Sequence, residues 1–153
     1  MTRVLTSGWF VVVALAVIFF LHIAASVGGW YAPHDAFFDV HDWRFNIDKL
    51  FHFLGGFWIA SAFTVVAAAR FDGIDFTKPS LLVALMVVAV VLLAGASWEL
   101  FEFGLDTVFA TSGPLRQQVG LADTMGDLFF DLLGGAVFAM LLAAGTRANS
   151  RAR

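Results

Sequence analysis

The sequence predicts an all-α integral membrane protein, a single domain built as a bundle of four transmembrane helices. Of the 153 residues, 60% are hydrophobic and the mean hydropathy is +0.85, whereas a soluble domain averages about 45–50% apolar residues. Four apolar segments are each long enough to cross roughly 30 Å of hydrocarbon at about 1.5 Å per residue. Short polar loops separate these segments, so we expect one domain over residues 1–153.

The predicted helices are four apolar segments followed by a flexible, arginine-bearing tail: residues 8–29, 48–69, 80–103 and 123–145, with the tail at 146–153. The first segment has an alternative interpretation as a cleaved signal peptide, with Ala24-Ala25-Ser26 as a loose cleavage site. We favour a retained helix because the segment is long for the apolar part of a signal peptide. In addition, Arg3 alone gives its leading end a basic charge.

The basic residues predict how the bundle is oriented. Six of them fall in the N-terminus, the turn at 70–79 and the C-terminal tail, whereas Arg44, Lys49 and Arg116 fall on the other side. Basic residues in short loops favour the cytoplasmic side. We therefore expect both termini in the cytoplasm.

Composition also excludes some kinds of site. The chain has no cysteine, so it has no disulfide framework, no thiolate metal site and no thiol nucleophile. Its net charge of −3 gives no general attraction to nucleic acid. We expect membrane lipids, and no nucleic acid, among its partners.

Several ionisable residues lie inside the apolar segments, where a charge is costly and indicates a function or a compensating partner. On the predicted topology they all lie at the extracytoplasmic end of the bundle. Spacings of three or four residues place those of each helix on one face. They are Asp48, His52, Glu99, Glu102, Asp123, Asp127 and Asp131.

Two of these helix starts resemble each other. Residues 48–56 and 127–135 align without gaps and share five of nine positions, including a leading Asp and a closing Gly-Gly. The repeat predicts two helical hairpins related by a pseudo-two-fold axis along the membrane normal. His52 and Asp131 would then be equivalent positions that face each other, and the paired glycines would allow close helix packing.

The charge of this group needs compensation. Lys49 adjoins Asp48 but is expected to point about 100° away from it on the helix, so side-chain cations would not neutralise the carboxylates. Three explanations stay open: a bound divalent metal, protonated carboxyls on a proton or ion pathway, or a structural hydrogen-bonded network. Asp123 is interpreted as a cap of the fourth helix or an additional ligand.

Carboxylates with imidazole suit a divalent ion, namely Mg, Mn, Zn, Fe or Ca. The predicted metal ligands are Asp48, His52, Glu99, Glu102, Asp127 and Asp131.

The metal explanation predicts an enzyme, a hydrolase or transferase that acts on a lipid-linked or cell-envelope substrate. Asp127, Asp131 and Glu102 are then the candidate catalytic residues. Arg44, Lys49 and Arg116 are the candidates for binding a substrate phosphate. The alternatives are a proton- or cation-coupled transporter and a non-catalytic envelope or assembly factor.

Three motifs carry a resemblance to known families. They are Asp-Lys-x-x-His-Phe at 48–53, Trp-Glu-x-x-Glu at 98–102 and Asp-Thr-x-x-Asp-x-x-x-Asp-x-x-Gly-Gly at 123–135. Together they resemble the VanZ-like and YjdF-like (DUF2238) families of small bacterial integral membrane proteins. The resemblance implies a four-helix, multi-pass protein of the bacterial inner membrane with a role in the cell envelope, and it implies that the motif residues are important.

Overall fold

The computed structural model describes residues 2–27, 47–76, 78, 80–109 and 120–151. All regular secondary structure in these residues is α-helical. The helices are α1 (Thr2–Leu5), α2 (Gly8–Val27), α3 (Ile47–Arg70), α4 (Leu81–Phe109) and α5 (Leu121–Arg151).

Four of these helices, α2 to α5, are long and apolar enough to cross a membrane. The predicted four-helix membrane bundle is therefore confirmed. The short helix α1 was not predicted. It packs mainly against α5 and α2, and its Leu5 carbonyl accepts a hydrogen bond from the Ser61 hydroxyl of α3 at 2.5 Å.

Two helices extend further than predicted. Helix α4 continues past residue 103 to Phe109, and α5 continues past residue 145 to Arg151. Helix α5 therefore extends into the predicted tail as far as Arg151, and the flexibility of that tail stays a prediction. Neither added stretch contains proline, the residue that most strongly breaks a helix, so nothing in either stretch stops the helix.

Helices α3 and α5 form the centre of the bundle and run parallel to each other. Lys49 contacts Asp127 near the start of both helices. Further along, the Phe57 and Phe138 rings pack edge to face with their centroids 5.5 Å apart. Because both members of each contact advance along the chain together, the two helices point the same way.

Glycines allow these two helices to touch. A Cβ added at Gly56 would overlap the backbone oxygen of Asp131, and a Cβ added at Gly134 would overlap the backbone oxygen of Phe53. By contrast, Gly55 has nothing within 4 Å. The predicted close approach is therefore found, and Gly56 and Gly134 are the glycines that it requires.

The two hairpins do not pack alike. Helix α4 packs against both α3 and α5, whereas α2 makes its main contacts with α3. One contact fixes α2 in place: the Trp58 indole N–H donates to the Val11 carbonyl at 2.8 Å. The predicted pseudo-two-fold relation thus describes α3 and α5 better than it describes their partner helices.

The interior is divided into an apolar half and a polar half. The apolar half lies toward the turn that joins α3 to α4, where Phe76 of that turn packs on Phe63 at 5.7 Å between ring centroids. Its buried members are Ala60, Ala67, Phe76, Val83, Val87, Val91, Phe138 and Leu142. The opposite end of the bundle carries the buried ionisable groups.

Candidate functional site

Ionisable side chains from three helices meet at one end of the bundle. They come from the first two turns of α3, the first three turns of α5 and the second half of α4. They include Lys49, which was expected to point away from the carboxylates. We call this group the polar cluster, and its members are Asp48, Lys49, His52, Glu99, Glu102, Asp123, Asp127 and Asp131.

Lys49 lies at the centre of the carboxylates. Its side chain is fully buried, and its ammonium donates to Asp123 Oδ1 at 2.5 Å and to Asp127 Oδ1 at 2.6 Å. Asp48 Oδ2 is 3.6 Å away. The expectation that Lys49 turns away from the carboxylates is therefore wrong. The rotation of about 100° that takes it away from Asp48 directs it toward α5.

His52 connects all three helices. Its Nδ1 lies 3.3 Å from Asp131 Oδ2 of α5. Its Nε2 lies 3.6 Å from Asp127 Oδ1 and 3.9 Å from Glu99 Oε1 of α4. The ring is only 8% exposed, so each of its nitrogens faces acidic oxygens inside the bundle.

Three of the predicted ligands come close enough to hold one ion. One ligand atom from each of Asp48, His52 and Asp127 can be chosen so that all lie within 4.8 Å of one another. Within this group, Asp127 Oδ1 also accepts a hydrogen bond from the Lys49 ammonium. An ion here would therefore share Asp127 with a lysine.

The two glutamates of α4 occupy different environments. Glu99 is 5% exposed and faces His52. Glu102 is half-buried, lies near the charges of Asp48, Glu99 and His52, and accepts a hydrogen bond from Trp98 Nε1 at 2.8 Å. Trp98 precedes Glu102 by four residues, which is the spacing of a contact on one face of a helix.

Asp123 does not cap α5 in the predicted way. The backbone N–H groups of Asp123 and Thr124 both donate to the Gly120 carbonyl, so Asp123 lies inside the first helical turn. Its side chain is occupied by Lys49. A carboxylate in this turn is still favoured by the helix dipole.

Gly95 is a site residue that the sequence did not reveal. It lies on α4 one turn before Glu99, and a Cβ added there would overlap Asp131 Oδ2. The carboxylate of Asp131 thus lies directly against the α4 backbone. The spacing of four residues between Gly95 and Glu99 is the signal that could have indicated it.

Two predicted phosphate-binding residues, Arg44 and Arg116, lie outside the described residues. The third, Lys49, is buried and held by two carboxylates. In this arrangement its ammonium presents no exposed surface to a substrate phosphate.

The fold and the site together define a multi-pass helical membrane protein with a buried cluster of ionisable side chains at one end of its bundle. The chain belongs to the family described as "Predicted membrane protein (DUF2238)", whose profile matches residues 2–148. This supports the DUF2238 part of the resemblance seen in the sequence. The relation to VanZ-like proteins stays a prediction.

A relative from Thermotoga maritima carries no assigned activity. It is named "Uncharacterized protein" and is 33% identical over 98 residues. The alignment covers 64% of this chain and 48% of the relative, so the chain spans about half the length of that protein. No solved structure matches the chain significantly.

Proposed function

We propose that the protein binds a divalent metal ion in the polar cluster and acts on a lipid-linked or cell-envelope substrate as a hydrolase or transferase. The observation that carries the proposal is the convergence of Asp48, His52 and Asp127, with one ligand atom from each lying within 4.8 Å of the others. On the predicted topology this site lies at the extracytoplasmic surface of the bacterial inner membrane.

The distances around His52 suit an ion better than direct hydrogen bonds. Nε2 lies 3.6 Å from Asp127 Oδ1 and 3.9 Å from Glu99 Oε1, both beyond the usual hydrogen-bond range of about 2.7–3.2 Å. Two donor atoms bound to one metal at about 2.0–2.4 Å lie roughly 3–4 Å apart. The two separations from Nε2 therefore each match the distance between neighbouring ligand atoms of one metal.

The contact of His52 with Asp131 has the arrangement that metal-binding histidines use. In such sites the second ring nitrogen donates to a carboxylate, which fixes the orientation and the tautomer of the ring. Asp131 Oδ2 is placed to accept from Nδ1 at 3.3 Å. A neutral imidazole with its proton on Nδ1 would leave Nε2 able to bind a metal, because a ligand nitrogen must carry no proton.

The charge of the cluster also favours a cation. Six carboxylates face one lysine and one histidine, so full ionisation leaves an excess of negative charge even after Lys49 is counted. Lys49 compensates Asp123 and Asp127. A divalent ion between Asp48, His52 and Asp127 would lower the remaining excess from five negative charges to three.

In this proposal the metal supplies an activated water or a polarised phosphoryl oxygen, and the chain supplies orientation and proton transfer. Glu102 is suited to be the general base, since it is half-buried at the edge of the cluster and is held by Trp98. Asp127 pairs with Lys49 and is also one of the proposed metal ligands.

Asp131 acts through His52 and is therefore a positioning residue, which revises its predicted catalytic role. Arg44 and Arg116 remain the candidates for binding a substrate phosphate.

A second candidate is a non-catalytic envelope factor in which the cluster only holds the helices together. The ion pairs of the buried Lys49 favour it, because they already join α3 to α5. A transporter is less well supported. The buried hydroxyls of Ser61 and Thr64 are bonded to backbone carbonyls, and the apolar half of the interior separates the cluster from the other end of the bundle.

Equilibrium metal binding distinguishes the proposed metal site from a cluster that only holds the helices together. Protein purified in detergent and stripped with chelator is titrated with Mn²⁺ and Zn²⁺. We expect the unmodified protein to bind one equivalent. His52→Ala should weaken binding by more than about 100-fold, since even residues that support a ligand contribute about 10–100-fold.

The matched control is His22→Ala, which removes an exposed histidine of α2 and should leave the affinity unchanged. Absence of binding to the folded, unmodified protein, or equal binding by the His52→Ala variant, would contradict the metal site.

A further inference from the structure

Two helices leave space for Asp131 by carrying glycine where they meet it. Gly56 of α3 lies against its backbone, and Gly95 of α4 lies against its carboxylate, so that a Cβ at either position would overlap it. Asp131 is 6% exposed. Its backbone and its side chain are therefore each confined by a different neighbouring helix.

The confined oxygen is also the one that meets His52. Oδ2 of Asp131 lies against Gly95 and 3.3 Å from His52 Nδ1. A methyl group at position 95 would have to displace this oxygen, because Gly56 keeps the backbone of Asp131 from retreating toward α3. Displacement would remove the carboxylate from Nδ1 and leave the orientation of the imidazole unfixed.

We infer that Gly95 is a positioning residue that holds the Asp131 carboxylate on His52 and so directs Nε2 toward Asp127 and Glu99. The inference rests on the proposed metal site for its functional meaning. The contact between Gly95 and Asp131 has its own consequences, which can be measured without metal.

The chain offers a matched control on the same helix. Gly104 of α4 has nothing within 4 Å of an added Cβ, so Gly104→Ala makes the same chemical change where there is space. Any general effect of alanine on α4 will appear in both variants. An effect confined to position 95 must come from its neighbours.

The experiment measures Mn²⁺ affinity for Gly95→Ala and Gly104→Ala, each in the natural background and in an Asp131→Ala background. Gly95→Ala should weaken binding roughly 10–100-fold, the usual effect of disturbing a group that orients a metal ligand. Gly104→Ala should not. With Asp131 already replaced by alanine, Gly95→Ala should have a much smaller effect. The oxygen that it displaces is then gone, and Leu128 Cδ2, which lies 3.2 Å from the added Cβ, is the end of a flexible side chain.

The same four variants are then compared by thermal unfolding in chelator. Gly95→Ala should lower the apparent Tm in the natural background and lower it much less beside Asp131→Ala. If Gly95→Ala alone does not fold, the Gly95→Ala/Asp131→Ala double variant should still fold, and its failure would overturn the inference. Equal losses of affinity or Tm in both backgrounds would also overturn it. If the natural protein binds no Mn²⁺ while the coupling in Tm persists, the proposed metal function fails and the contact between Gly95 and Asp131 is supported.

Discussion

Lys49 determines how much of the polar cluster can remain ionised. It is fully buried and lies within 2.6 Å of carboxylate oxygens on two residues of α5. An unpaired charge in an apolar interior is far more costly than a paired one. The lysine therefore stabilises Asp123 and Asp127 as carboxylates and ties α3 to α5.

Replacement of Lys49 by methionine should be strongly destabilising. The change keeps most of the volume but leaves two carboxylates without their cation, and removal of one partner of a buried ion pair typically costs about 3–5 kcal/mol. Unfolding in mixed micelles measures it. The control is Lys78→Met, which breaks an exposed ion pair with Asp75 and should change little. Similar effects at positions 49 and 78 would contradict the role given to Lys49.

Spacing within one helix predicted which acidic residues converge, but it could not predict their partners. Asp127 and Asp131 were placed correctly on one face of α5 with His52 opposite. The position of Lys49 depends on which side of α3 meets α5, and that rotation is set by packing between helices. Gly95 shares a face of α4 with Glu99, but the sequence could not show that Asp131 lies against it.

At the scale of helices, the repeat in the sequence corresponds to a real register between α3 and α5. His52 and Asp131 are equivalent positions of the aligned stretches 48–56 and 127–135, and they lie in contact. Close packing at Gly56 and Gly134 lets these parallel helices bring the two equivalent positions together. This part of the interface could therefore be predicted from the sequence.

The contact between α3 and α5 should tolerate alanine at Gly55 and not at Gly56. A Cβ at Gly56 would meet the backbone of Asp131, which cannot move aside as a flexible side chain can, and such overpacking typically costs about 1–3 kcal/mol. Gly55 has open space, and there alanine should be neutral or stabilise the helix by about 0.5–1 kcal/mol. Comparison of the unfolding of the two variants tests this. Equal destabilisation would mean that the helices do not approach at Gly56.

Helix ends were less predictable than helix contacts. The apolar pattern predicted the four long helices, but it did not predict that α4 continues to Phe109 and α5 to Arg151. Helix α1 has only four residues, too few for a periodic pattern to reveal. Its position depends on contacts with distant parts of the chain, such as the bond from Ser61 to Leu5.

At the scale of the molecule, polarity divides the bundle along its length. Aliphatic and aromatic side chains fill one half of the described interior, and the polar cluster fills the other. The buried hydroxyls of Ser61 and Thr64 donate to backbone carbonyls. This division suits a site that opens to one surface, and it does not suit a polar path through the membrane.

The membrane-protein class and family could be predicted from composition and motifs, and both are now supported by the structure and by the family match. The chemistry could not be predicted to the same depth. Similar carboxylate clusters serve to bind metals, carry protons and join helices, and the residue types alone do not distinguish these uses. The discriminating features are distances, above all those around His52.

A crystal structure of the protein grown with Mn²⁺, with anomalous scattering recorded, tests the central claim most directly. The account predicts one strong peak bounded by Asp48, His52 Nε2 and Asp127, at about 2.0–2.4 Å from its ligand atoms. Lys49 should remain on Asp123 beside it. A cluster without such a peak, with Lys49 and the carboxylates packed together in saturating Mn²⁺, would contradict the account.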